Sequence, residues 1–174
     1  MQTGATRDRP MPDSRNLADL QPHVRFMAEQ LIDTAKADGI PLTVTFTRRS
    51  LARQAALFAQ GRTVPGPIVT NAKPGESFHN YGLALDVVPT ELLALPNWGD
   101  TPDQQARTDA LWSRVGTIGK SIGFRWGGEF HSIRDRPHFE WSGSLTLADL
   151  KRGLTPSPSP SSSALLQSQT DKRP

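Results

Sequence analysis

Apolar and polar positions alternate along this chain with two periods, and the period marks the element. Val24, Met27, Leu31 and Ala35 recur on one face of a helix, with Pro22 suited to its first turn and Gly39 to its stop. Pro41 to Thr47 reads PLTVTFT, alternating and β-branched, which predicts a strand. Ser50 caps a second helix that carries Leu51, Ala55 and Phe58 and ends at Gly61. Residues 62–76 hold Pro65, Gly66, Pro67, Pro74 and Gly75 and predict a loop. Gly82 to Val88 reads GLALDVV, a second strand. Thr101-Pro102 opens a long helix with Leu111, Val115, Ile118 and Ile122 on its apolar face and Gly123 at its end. Pro137 to Trp141 predicts a third strand. Short strands mixed with helices in no strict βαβ rhythm point to α+β: a small, mostly antiparallel sheet with flanking helices.

The period of two also sorts the second strand by face. Leu83, Leu85 and Val87 share one face, and Gly82, Ala84 and Asp86 share the other. A carboxylate therefore stands on a face otherwise made of very small side chains. His79 lies three residues before Gly82, close enough to fold back toward Asp86. In the third strand His138 shares a face with Glu140, while Phe139 and Trp141 take the other. Asp135 precedes His138 by three residues, and Pro137 stiffens the approach. His131 competes for any histidine role but falls in a loop and reads as an exposed residue.

Composition changes this picture in three ways. The chain has 174 residues and no cysteine, which excludes disulfides, thiolate-held zinc and thiol catalysis, so any metal must be held by His, Asp or Glu. The ends are poor in structural signals. Residues 1–13 read as a flexible N-terminus, 14–150 as one domain, and 151–174 as a Ser/Pro-rich disordered tail, with ten Ser or Pro among the last 21 residues. The net charge of +3 favours an anionic partner only weakly. No basic helix interleaved with aromatics suggests nucleic acid. No apolar run is long enough to insert in a membrane, and the first 20 residues lack the apolar core of a secretory signal.

Two His and two Asp supply three ligands and one free carboxylate, the parts of a catalytic zinc site. Taken singly, each reads more simply as a core or surface residue, and spacing alone points only weakly to a site. The motifs add to it. SFHNYGLALD, from Ser77 to Asp86, resembles the S-x-H-x-x-G-x-A-x-D motif of the zinc D-alanyl-D-alanine carboxypeptidase family, and DRPH resembles its second motif. The likeness is nearest to the L-alanyl-D-glutamate endopeptidases of phage endolysins and bacterial cell-wall hydrolases, and it runs in order over about residues 16–141. It implies one zinc per chain, set on the sheet and bound by His79, Asp86 and His138, with Asp135 as the general acid/base. Arg49, in the pair Arg49-Ser50, would bind a substrate carboxylate or stabilise an oxyanion. Arg48 stands beside it, and the frayed strand end leaves open which arginine faces inward. Ser77 would support the site by hydrogen bonding, and Gln54 would line the cleft.

The resemblance thus implies a zinc-dependent peptidoglycan hydrolase that cuts stem peptides between L-Ala and D-Glu, working as a monomer. The alternatives are a D,D-carboxypeptidase that removes terminal D-Ala and a non-catalytic zinc-binding module. For a phage lysis enzyme the implied setting is the cytoplasm, followed by release to the wall through a holin.

Overall fold

The computed structural model describes residues 13–95, 98 and 101–157. The expectations for residues 1–12 and 158–174 lie outside the described residues. Four strands, β1 (Leu42–Phe46), β2 (Ala84–Pro89), β3 (Arg125–Trp126) and β4 (His138–Glu140), pair in the order β1-β2-β4-β3, each pair antiparallel. The helices are α1 (Pro22–Ala37), α2 (Leu51–Ala59), α3 (Pro102–Ile122) and α4 (Leu147–Lys151). The α+β architecture is the one that the hydrophobic pattern predicts.

The strands are short, so the core depends on what the helices bring to one face of the sheet. Leu83, Leu85, Val87 and Phe139 are fully buried there, with Val24 and Leu31 of α1 and Trp112 and Val115 of α3. Two glycines let α3 come close. A Cβ at Gly116 would stand 2.4 Å from the Trp126 ring, and one at Gly119 would stand 2.3 Å from the Phe139 ring. Glycine in a helix interior is unfavourable by roughly 1 kcal/mol against alanine. Here it lets aromatic rings of β3 and β4 lie directly on the helix.

Register then sets the opposite face. Asp86 of β2 is paired with His138 of β4, and Ala84 with Glu140. On the other side Phe46 of β1 meets Asp86, after a bulge between Val44 and Phe46. The face that carries Asp86 therefore carries His138 and Glu140 as direct or next neighbours.

Element edges differ from expectation in small ways. β2 begins at Ala84 rather than Gly82, because Phe78–Tyr81 winds into a 3-10 turn and Gly82 takes a left-handed φ of 68° at its end. β3 has only two residues, too short to show any periodicity, and α4 is a single capped turn. Lys151, the last residue of α4, pairs with Glu76 at 3.0 Å. At the other end Asp13 accepts hydrogen bonds from the Ser50 backbone N–H and hydroxyl.

Candidate metal centre

Three elements bring three side chains to one point. The 3-10 turn supplies His79, β2 supplies Asp86 and β4 supplies His138. His79 Nε2 lies 3.0 Å from Asp86 Oδ1 and 3.0 Å from His138 Nδ1, and His138 Nδ1 lies 3.2 Å from the same Asp86 oxygen. The corners of such a triangle stand about 1.8 Å from its centre, so a point slightly off its plane is roughly 2.0–2.1 Å from all three. That is the bond length zinc makes to imidazole and carboxylate.

The outer atoms decide what the inner ones are. His79 Nδ1 is 2.7 Å from the Thr47 carbonyl, which can only accept, so that nitrogen carries the hydrogen. His138 Nε2 is 2.9 Å from the Glu140 carboxylate and donates to it in the same way. Neutral imidazoles held like this present bare lone pairs at His79 Nε2 and His138 Nδ1. With Asp86 Oδ1, three acceptors face one another without a donor among them. Such an arrangement is unfavourable unless a cation lies at its centre. This donor set fits a metal ion.

Without a metal the same cluster takes up a proton in the cation's place. Burial disfavours a charged His138, yet Asp86 and Glu140 outweigh it and hold its pKa up to about 10 in the metal-free protein. Asp86 is buried too, but the neighbouring imidazoles of His79 and His138 hold its carboxyl well below the ordinary range.

Asp135 lies just before β4, three residues ahead of His138. The turn Asp135-Arg136-Pro137-His138 closes with His138 N–H on the Asp135 carbonyl at 3.1 Å. It is pinned from outside by Trp126 Nε1–H on the Arg136 carbonyl at 2.8 Å and by an Arg136–Asp109 ion pair at 2.6 Å. Gly127 is required at this crossing: a Cβ there would stand 2.4 Å from the Asp135 carbonyl oxygen and 2.9 Å from His138 Cβ. Asp135 keeps solvent access at the cleft while protein closes round its other sides. Burial and the nearby Asp86 charge push its carboxyl upward, with His138, His79 and Arg49 opposing.

Arg49, not Arg48, turns inward. Its Nη2 lies 3.7 Å from Asp86 Oδ2, and its guanidinium sits 4.8 Å over the Phe46 ring, which also makes a T-shaped contact with His79. Burial lowers the Arg49 pKa, with Asp86 and Asp135 opposing. Arg48 lines a separate surface pocket with Asp19 and Tyr81. Gln54 is placed differently from expectation. It is fully buried beneath Arg49 rather than at the cleft surface, accepting from Arg49 Nη1 at 3.0 Å and donating to the Ala72 carbonyl at 2.8 Å. The reason is local: Gln54 lies on the inward face of α2, which packs under the 62–77 loop. Ser77 lines the cleft beside His79, and its carbonyl accepts from Asn80 N–H. His131 is exposed and lines the same cleft.

The cleft itself has a volume of about 780 Å³ and runs between segments 69–78 and 129–138, with Arg49, His79, Asp135 and His138 in its lining. It is an open groove beside the three converging atoms, with the Asp135 carboxylate and the Arg49 guanidinium at hand. Sequence reasoning did not assign roles to Glu140, Phe46, Gly127 or Trp126. Only Glu140 left a usable signal, two residues after His138 on an alternating strand.

A model of the family described as D-alanyl-D-alanine carboxypeptidase matches residues 70–141. The chain is 38% identical over 136 residues to the peptidoglycan L-alanyl-D-glutamate endopeptidase CwlK of Bacillus subtilis, covering 78% of each. It is 28% identical over 132 residues to the L-alanyl-D-glutamate peptidase of a Listeria phage, covering 74% of this chain and 41% of that protein. Among solved structures, the LD-carboxypeptidase LdcB superposes with a TM-score of 0.53 at 22% identity, over 78% of this chain and 65% of that one. The vancomycin resistance D,D-pentapeptidase VanY, in complex with Zn(II), superposes with a TM-score of 0.51 at 18% identity, over 78% and 80%. These two show the shared fold. The chain belongs to the D-alanyl-D-alanine carboxypeptidase family, and it is a metallopeptidase.

Proposed function

We propose that this chain is a zinc-dependent peptidoglycan hydrolase that cleaves the L-Ala–D-Glu bond of stem peptides, with one zinc per chain held by His79, Asp86 and His138. The observation that carries the metal is the convergence of His79 Nε2, Asp86 Oδ1 and His138 Nδ1, 3.0–3.2 Å apart, with the outer ring nitrogen of each histidine turned to an acceptor. What supports the bond is the 38% identity to CwlK across most of both chains. Bound there, zinc would supply a Lewis acid and a water of lowered pKa. The chain's own residues do the rest. Asp135 takes the proton as the water oxygen attacks the L-Ala carbonyl carbon. It then delivers that proton to the D-Glu nitrogen as the C–N bond breaks. Arg49 is a fixed cation beside the developing oxyanion. Gln54 holds that guanidinium in place.

The likeness to the Listeria phage peptidase supports a finer reading, a bacteriolytic enzyme of the endolysin kind, and release from the cytoplasm to the wall through a holin is part of that proposal. The test is digestion of purified peptidoglycan followed by mass spectrometry. Release of peptides that begin with D-Glu is expected. Release of D-Ala alone would instead mean a D,D-carboxypeptidase, and no release would mean a non-catalytic zinc-binding module.

A further inference from the structure

The two histidines are backed differently. His79 gives its outer N–H to a neutral backbone carbonyl, and His138 gives its own to a carboxylate. A carbonyl suffices to fix a tautomer, so the charge on Glu140 is more than that job needs. Glu140 is only 6% exposed, and a buried charge is costly unless paired. Its second oxygen, Oε1, lies 2.8 Å from Arg125 Nη1. Arg125 stands directly opposite it on β3, and its guanidinium lies 5.2 Å over the Phe130 ring in the wall of the cleft. The Arg125 side chain is 69% exposed. A continuous line therefore runs from solvent in the cleft to the inner nitrogen of His138: Arg125, Glu140, His138.

We propose that Glu140 is a positioning residue that sets how tightly His138 holds the metal, and that Arg125 moderates it from the cleft wall. A carboxylate that accepts the Nε2 hydrogen pushes electron density toward Nδ1 and makes it a stronger ligand. A guanidinium on the other carboxylate oxygen draws density back. The plainer role would be a staple, an ion pair that joins β3 to β4 and leaves the metal untouched.

The two roles separate in the metal itself. Glu140→Gln keeps the shape and an acceptor but removes the charge. Zinc affinity is measured by competition with a chromophoric chelator, the visible spectrum is recorded after cobalt substitution, and melting of the metal-free protein serves as the folding control. The variant is expected to bind zinc roughly 10- to 100-fold more weakly and to show a shifted cobalt spectrum. Glu129→Gln, which alters a cleft carboxylate paired with Lys120, is expected to change neither. Arg125→Ala, at an exposed position, keeps the inference testable if the Glu140 variant does not fold. It should tighten zinc, because the carboxylate is no longer shared. Unchanged affinity and spectrum in Glu140→Gln, or weaker zinc in Arg125→Ala, would overturn the inference and leave the metal site standing. A wild-type chain that bound no zinc would overturn both.

Discussion

His79, Asp86 and His138 are held by the sheet and its adjoining turn, whereas Asp135 sits on a four-residue turn at the cleft. For the three proposed ligands, register does the work: Asp86 and His138 are directly paired, and each histidine spends its outer nitrogen on a fixed acceptor. For Asp135, close approach does the work. The turn is located by the missing side chain of Gly127, the Trp126 indole and the Arg136–Asp109 pair. Metal ligands must hold one geometry throughout turnover, and strand pairing provides that. A group that accepts and returns a proton needs solvent and substrate beside it, and a pinned turn provides that.

The sharpest way to break this comparison is to remove one residue from each side. Asp135→Ala is expected to lower turnover by about 100- to 10,000-fold, the usual cost of a lost general base, with one zinc still bound. His138→Ala should lose both zinc and activity. Metal content and muropeptide release on the purified variants check the pair, and zinc lost from Asp135→Ala would make that residue a ligand instead.

Arg49 comes next. Arg49→Ala is expected to cost roughly 100- to 1,000-fold in kcat, the range for a lost oxyanion donor, with zinc retained. Gln54→Leu should reproduce part of that loss although it touches no substrate, because it frees the guanidinium. Single-turnover rates on a stem peptide separate the two, and a Gln54 variant with wild-type kcat would refute the strut.

Gly127→Ala tests the turn. A displacement near 1 Å at a reacting group can cost roughly 100-fold, and the added Cβ would force one. The loss should fall on kcat more than on zinc affinity. A variant with normal kcat would show that the turn yields without moving Asp135.

Trp126→Phe gives the smallest effect. It removes the indole hydrogen bond to Arg136 but keeps a ring against Phe139. A loss of about 1 kcal/mol of stability is expected, with a modest fall in kcat. Chemical denaturation and steady-state rates measure each.

The same division explains what could be read in the sequence. The faces of β2 and β4 follow from alternation, so Asp86 on a small-residue face and His138 beside Glu140 were legible. The ends of α1 and α2 were legible from Pro22, Ser50 and their apolar spacing. What was hidden depends on distant contacts. β3 is two residues long and exists because β4 pairs with it. Gly127 looks like any loop glycine until the Asp135 carbonyl is placed against it. Gln54 carries no mark that it lies under Arg49, since that depends on how α2 meets the loop carrying Ala72. The choice between Arg48 and Arg49 needed contacts beyond the end of β1, where the Arg48 carbonyl accepts from Ser14 N–H and Arg49 N–H donates to the His79 carbonyl.

The central claim is that three bare acceptors converge on one zinc. It is tested most directly by a crystal structure of the zinc-loaded protein with anomalous data at the zinc edge. The account predicts a single anomalous peak about 2.0–2.2 Å from His79 Nε2, Asp86 Oδ1 and His138 Nδ1. A peak bound through His79 Nδ1 or His138 Nε2, or one located away from these three residues, would contradict it.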